Sequence, residues 1–403
     1  MWMWAALLLI IVILAIVGVI YLTKRFHGFS FIIKIGKKNN TVSWLLSLLP
    51  TILIFAVFII FSNVYAAVIV FLHLMIFWVI CDFVGFVIRK CVAGSNSESK
   101  VQESDEVSEK DANDKNSSDK KSNDGKTNSK SGRKNYEGAI AIIITIIYMS
   151  IGWYNAHHVR ETDYTFTTTK NLGRESLRVV EIADSHLGIT LDGKKFSNEM
   201  KKIQKLNPDV VVVAGDFVDD DSYKKDMVES CKALGELKTT YGVYFIFGNH
   251  DKGYGNYRDF TTQDLREELE KNHVVILEDE SVLIDDEFYI IGRQDRTEEG
   301  RMDMVNLTKD LDTSKYMILL DHQPNDYDNE ASYVDLVLSG HTHGGHIFPA
   351  GLIGLWMKAN DRVYGTEVRK NTRFVVTSGI SGWAIPFKTG TFSEFVVIDI
   401  KGE

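Results

Sequence analysis

Four long apolar runs occupy the first 155 positions, and beyond residue 176 the pattern changes to short apolar runs alternating with amphipathic stretches. Residues 2–22 carry no charge, 44–62 are almost as apolar, 64–88 are interrupted by His73 and Asp82, and 138–154 form a shorter run with Tyr148, Trp153 and Tyr154 towards its end. Each approaches the roughly 20 residues that a helix needs to cross hydrocarbon. The pattern therefore predicts four transmembrane helices, the second and third joined as a tight hairpin around Asn63. The first run lacks a basic stretch before it and a small-residue cleavage site after it, so it reads as an uncleaved anchor.

Charge then orients the spans. Lys24, Arg25, Lys34, Lys37 and Lys38 follow the first run, Arg89 and Lys90 follow the third, and Arg133 and Lys134 precede the fourth. The positive-inside rule places these loops in the cytoplasm and the carboxy-terminal domain outside it, provided the span count is even. Asp82 stands one helical-face repeat from Arg89, which predicts a local pair, and no other span carries a charged partner. An anchor or an assembly surface is expected, not an ion path. Residues 94–137 are Ser, Asn, Lys, Asp and Glu with almost no apolar side chain, which predicts a disordered cytoplasmic loop. The expected organisation is three spans over 1–93, the disordered loop over 94–137, a fourth span over 138–155, a polar linker over 156–175, and one large domain over 176–403.

In that domain the runs Leu177–Ile182, Val210–Val213, Val243–Phe247, Met317–Leu320 and Leu336–Leu338 read as buried strands, while 196–206, 223–237 and 262–272 show helical spacing. The strand runs precede Asp184-Ser185-His186, Gly215-Asp216-Phe217-Val218-Asp219, Gly248-Asn249-His250-Asp251, His322 and Gly340-His341-Thr342-His343. The polar residues should thus cluster at one sheet edge, with Asp184/His186 and His341/His343 each on one side of an extended chain. Together they offer ligands enough for two cations. A net charge of −9 argues against sequence-independent nucleic-acid binding, and three cysteines, Cys81, Cys91 and Cys231, give no expected disulfide and no thiol metal site.

In order and type the five segments resemble the calcineurin-like metallophosphoesterase superfamily over roughly residues 176–400. The resemblance implies a four-layer α/β/β/α sandwich, here preceded by four transmembrane helices. It implies one metal held by Asp184, His186, Asp216 and His343, a second held by Asn249, His322 and His341, with Asp216 bridging, and a His250–Asp219 dyad facing the leaving group. The chemistry is consistent: a bridge needs the two acceptor oxygens and negative charge of a carboxylate, and mixed Asp, Asn and His donors suit Mn, Fe or Zn better than Mg or Ca. Imidazole titrates near working pH and a carboxylate partner fixes its tautomer, which suits His250 to proton donation.

Two departures bear on substrate. Where protein phosphatases of this superfamily place a phosphate-gripping arginine, Asp219 is followed by Asp220 and Asp221, which points away from phosphoproteins. The run Gly344-Gly345-His346-Ile347-Phe348-Pro349 resembles the membrane-associated bacterial branch, in which glutamine is usual at the position of His346. That branch includes phosphodiesterases and relatives of lipid-linked nucleotide pyrophosphatases. His346, Arg293 and Arg296 are candidate substrate contacts, the arginines as a replacement phosphate clamp. The expectation is a membrane-anchored, two-metal phosphoesterase acting on a phosphodiester or pyrophosphate, of lipid or cell-envelope origin. The rival reading is a non-enzymatic receptor or scaffold with a structural metal site, which would have no use for an acid dyad.

Overall fold

The structure, a computed structural model, describes residues 2–104, 135–253 and 257–403, divided into compact units at Tyr148–Met149. The first unit is helical: α1 (Trp2–His27), α2 (Ser30–Gly36), α3 (Asn40–Phe61), α4 (Val64–Ser104) and most of α5 (Tyr136–His157). Its core gathers Leu22, Phe26, Phe71, Leu74, Trp78 and Ala141. Apolar length makes α3, α4 over Val64–Val92, and α5 candidates to cross a membrane. The first apolar run differs from expectation: Val12–His27 and Ser30–Gly36 meet at 83°, and add a fourth span only if the bent pair is one. Large side chains such as Ile60, Phe61 and Phe83 are left exposed on these helices, a disposition suited to lipid and costly in water. The tight hairpin is present, with the Asn63 side chain accepting from the Ala66 N–H at the start of α4.

Tertiary packing replaces the expected local pairing. Asp82 meets Arg25 at 2.5 Å and the Tyr21 hydroxyl, both on α1, while Arg89 pairs with Glu137 at the start of α5. Neighbouring helices bring a partner closer than a helical repeat does. His73 bonds its own helix at Ile69 O, 2.8 Å away. The backbone of α4 stays helical to Ser104, beyond the expected boundary at 93, and the loop expected to be disordered lies outside the described residues over 105–134.

In the second unit β1 (Arg160–Thr168), β2 (Ser176–Ile182), β3 (Val210–Ala214), β4 (Val243–Ile246), β5 (Val274–Ile276) and β12 (Glu394–Gly402) form a six-stranded sheet in the order β1-β12-β2-β3-β4-β5. The threonine-rich segment, expected as a linker in the form of an extended arm or first edge strand, contains the edge strand β1, parallel to β12. The second sheet combines β6 (Glu280–Ile284), β7 (Phe288–Gly292), β8 (Tyr316–Leu320), β9 (Leu336–Ser339), β10 (Gly365–Arg369) and β11 (Thr372–Val376), in the order β10-β11-β9-β8-β7-β6. Both sheets are mixed, with β2, β3, β4 and β5 parallel in one and β7, β8, β9 and β11 parallel in the other.

Alternating side chains divide the apolar residues among three cores. Val179, Val210, Val212, Ile290, Ile318 and Leu336 are buried between the sheets. Val180, Ile182, Val211 and Val213 turn outward against α6 (Gly193–Gln204), α7 (Lys224–Gly235) and α8 (Thr262–Lys271), which contribute Phe196, Met227 and Leu265. Ile291, Met317, Leu319 and Val337 pack with Met304 and Leu307 of α9 (Met304–Thr308) and Tyr327 of α10 (Tyr327–Glu330). A last short helix, α11 (Ala350–Trp356), buries none of its residues. Within each sheet the registers keep the carboxyl ends level: Ile182 faces Val213, Ala214 faces Ile246, and Leu320 faces Leu338. Ligand sites of open α/β sheets lie at such ends.

Candidate metal centre

The chemistry-bearing residues begin within three positions of these strand ends: Asp184 after β2, Asp216 after β3, Asn249 after β4, His322 after β8 and His341 after β9. The chain turns there through left-handed backbone, with φ of 54° at Asp184, 35° at His186, 53° at Asp216, 70° at His341 and 48° at His343. Non-glycine residues adopt that region at a cost, and it recurs where geometry serves function. Glycines let the turns approach one another. A Cβ at Gly248 would sit 2.3 Å from Asp216 Oδ1, and one at Gly340 2.5 Å from Asp184 Oδ2. Backbone hydrogen bonds fix the first carboxylate: the His341 N–H donates to Asp184 at 2.9 Å.

Two of the three close groups hold only expected metal ligands, Asp184 with His186 and His343, and Asp216 with His322 and His341, the third being His186 with Asp219 and His250. The hydrogen bonds decide which imidazole atoms face inward. His322 Nδ1 is 2.8 Å from Ala214 O and so must donate, which leaves the lone pair of Nε2 directed at Asp216 Oδ2, 3.1 Å away. His186 Nδ1 donates to Asp219 Oδ2 at 3.0 Å, and its Nε2 lies 3.1 Å from His343 Nε2 and 3.5 Å from the same Asp216 oxygen. Acceptors facing acceptors in a buried site repel unless a proton or a cation lies between them. The donor set of neutral imidazoles and carboxylates thus fits divalent metal ions. Without one, burial disfavours the imidazolium of His322, but Asp216 and Asp184 outweigh it and hold the pKa well above the ordinary value. Burial brings His341 down to about 4, and His343 lies well below the ordinary value.

Beside these clusters His250 Nδ1 lies 3.1 Å from Asp219 Oδ1. Burial alone would lower the His250 pKa, yet the Asp219 hydrogen bond and the charge of Asp216 leave it raised. Asn249 lies between Gly248, whose N–H donates to Asp251 at 2.7 Å, and His250, whose N–H donates to Asp216 at 2.8 Å. Asp251 also accepts the backbone N–H groups of Asp216 at 2.8 Å, Phe217 at 2.8 Å and Val218 at 3.0 Å. One buried carboxylate therefore ties the turn after β3 to the turn after β4.

The expected substrate contacts fare differently. Arg293 is 4% exposed, and its Nη1 is held by Asp321 at 3.1 Å, Asp326 at 2.8 Å and Glu330 at 3.0 Å. Its guanidinium is committed to carboxylates, which corrects the expectation of a phosphate clamp; Arg296 is exposed on the following turn. The His346 ring lies 5.4 Å from that of His343, and burial, then Lys388 and His186, push it down to about 3, so it stays neutral. Its Nε2 has no hydrogen-bond partner among the described residues.

Three neighbours were not legible beforehand, and a fourth, Asp251, closes the expected segment Gly248-Asn249-His250-Asp251 but carried no expected role. Lys388 is fully buried, donating to Ser378 O at 2.6 Å and Gly379 O at 3.0 Å, with burial pushing its pKa down to about 7. It secures the loop in which a Cβ on Gly379 would meet Asp184 Cβ at 2.6 Å. Trp383 in that loop places its ring 5.6 Å from His250. Arg258 donates to Asp251 O at 2.9 Å and feels the charges of Asp251, Asp220 and Asp219. None of the last three belongs to a motif.

Comparison with known proteins gives concordant findings. The calcineurin-like phosphoesterase family model matches residues 177–345. An uncharacterized metallophosphoesterase of Campylobacter jejuni is 32% identical over 276 residues, covering 66% of this chain and 69% of that protein. A Danio rerio transmembrane protein with metallophosphoesterase domain is 29% identical over 285 residues, covering 65% of this chain and 62% of that protein. Among solved structures, a dimetal phosphatase from Danio rerio aligns with a TM-score of 0.32 and 10% identity over 51% of this chain and 87% of that one, a likeness too distant to carry an argument.

Proposed function

Since this chain belongs to the calcineurin-like phosphoesterase family, we propose that it is a membrane-anchored phosphoesterase that hydrolyses a phosphodiester or pyrophosphate bond in a lipid or cell-envelope molecule. Its cofactors are two divalent metal ions, as the family uses. The observation that carries the reading is the convergence of His186 Nε2 and His322 Nε2 on one oxygen of Asp216, at 3.5 and 3.1 Å, beside the His250–Asp219 pair. Asp184, His186, Asp216 and His343 are assigned one ion, and Asp216, Asn249, His322 and His341 the other. The cores on the outer faces of both sheets support the four-layer α/β/β/α arrangement.

When bound, such a pair of ions activates a water and neutralises charge on the phosphoryl group. The remaining work falls to side chains. Asp219 holds the Nδ1 proton of His250, so the opposite nitrogen, Nε2, is the atom assigned to protonate the leaving oxygen. The raised His250 pKa keeps that proton available near neutrality. Arg258, beside the dyad, takes over the anion-binding role first expected of Arg293, and Trp383 offers a flat apolar wall next to His250 for the leaving group.

Three apolar helices, a possible fourth span in the bent pair, and a relative named as a transmembrane protein support the membrane anchor. With four spans the basic loops favour a catalytic domain outside the cytoplasm. The test is hydrolysis of a chromogenic phosphodiester and its monoester counterpart by the full-length protein in detergent with manganese. Diester hydrolysis that Asp216→Asn abolishes supports the reading; inactivity towards both esters with two metals bound favours the receptor or scaffold.

A further inference from the structure

Between Ile347 and Met357 the chain carries no charged residue. None of α11 is buried; Leu352 is 61% exposed and Trp356 84%, and Phe348, Ile353, Leu355 and Met357 are exposed with them. A contiguous apolar surface of this kind is unusual on a domain that meets only water. Its position names the occupant. The Phe348 N–H donates to Thr389 Oγ1 at 3.1 Å, the Thr389 N–H donates to His346 O at 3.0 Å, and the neighbouring Lys388 N–H donates to Gly152 O of α5 at 2.9 Å. The Ser393 N–H donates to Asn155 O, 2.9 Å away on the next turn.

The apolar lip is thus fastened through one loop to the carboxyl-terminal end of a candidate span. On that end Trp153 and Tyr154 are each 51% exposed, aromatic types that favour the membrane–water boundary. Only two residues separate α5 from β1, so the tether leaves the domain little room to stand off. At its other side the lip adjoins the metal centre, since the ring of His346, two residues before Phe348, lies 5.4 Å from that of His343, tilted by 33°.

We propose that Phe348–Met357 inserts into the lipid bilayer beside α5, so that the metal centre opens at the membrane surface and takes phosphate esters carried by lipids. This rests on the membrane-anchored phosphoesterase reading and names the partner surface of that site. Burial of Leu352 and Trp356 in acyl chains supplies attraction, and Lys358 at the end of the lip suits the headgroup layer.

The test uses the full-length chain in phosphatidylcholine–phosphatidylglycerol nanodiscs, with Cys81, Cys91 and Cys231 replaced by alanine and an environment-sensitive fluorophore on L352C or W356C. The reference is V305C, an exposed apolar position on α9. Doxyl-labelled lipid is expected to quench the two lip positions roughly threefold more than the reference, with iodide quenching reduced in proportion. Iodide quenching equal to the reference at both positions overturns the proposal. So does protection from iodide without lipid quenching, which would indicate a protein occupant. The readout needs no substrate, so soluble-diester hydrolysis by the same samples judges the functional reading separately.

Discussion

Asp219 Oδ2 lies 3.0 Å from Nδ1 of His186. The other oxygen of the same carboxylate takes Nδ1 of His250 at 3.1 Å, so one side chain sets the tautomer of both His186, beside the clusters, and His250, the proposed proton donor.

Asp219→Asn should therefore have two effects at once. Metal affinity is expected to fall roughly 10- to 100-fold through His186, and turnover at saturating metal roughly 100-fold or more through His250. With the proton-donor role, activity is present below the His250 pKa and lost as pH rises through it. Since Asp219 contributes to raising that pKa, the alkaline limb of the profile should move to lower pH in the variant. An unmoved limb in a pH–rate profile would remove His250 from the acid role.

Asp251→Ala leaves four buried N–H groups, on Asp216, Phe217, Val218 and Gly248, without their acceptor. Unsatisfied buried donors cost about 1–3 kcal/mol each, so a loss exceeding about 3 kcal/mol is expected in denaturant titration. Because both tied turns carry proposed ligands, metal binding should weaken with stability.

Gly248→Ala introduces a methyl group 2.3 Å from Asp216 Oδ1. The carboxylate must move, and with it the atom shared by both clusters. Metal content after dialysis is expected to drop from two ions to one or none, with activity reduced roughly 100-fold.

Arg293→Ala and Arg258→Ala should separate cleanly. The first removes the guanidinium that faces Glu330 and, together with that of Arg301, Asp321 and Asp326, which is expected to cost roughly 3–5 kcal/mol of stability. Where folded protein remains, KM should stay unchanged. The second should raise KM roughly tenfold with little change in Tm. A normal KM for Arg258→Ala would remove it from substrate binding.

Proton competition gives a further readout. His322, held well above its ordinary pKa by Asp216 and Asp184, must lose a proton before it can act as a ligand. Calorimetry in buffers of different ionisation enthalpy should show proton release on metal uptake and an affinity that rises with pH through neutrality.

Much of this centre was readable because its residues follow strand-like runs, and a parallel strand end fixes where the next side chains go. Asp184, His186, Asp216, His322, His341 and His343 come together as their order implies. Arg293 misled because sequence shows a guanidinium in a loop after a strand, whereas its fate depends on Asp321, Asp326 and Glu330, brought from 28 to 37 positions away. Asp82 misled likewise, since a helical repeat says nothing of what a neighbouring helix presents. The bend after His27 has no proline to announce it, and the Gly28-Phe29 break becomes visible only in three dimensions.

Each cluster draws from both sheets: His343 joins Asp184 and His186 across the interface, and Asp216 meets His322 and His341. A bound ion would therefore be a rivet between two layers whose interior contact is apolar and whose edges already share hydrogen bonds, from the His341 N–H to Asp184 and from His322 to Ala214 O. Unfolding and demetallation become one event. At metal concentrations 100-fold above Kd a single site adds about 2.7 kcal/mol, so the melting temperature of this domain becomes a gauge of its metal load, readable before any substrate is known.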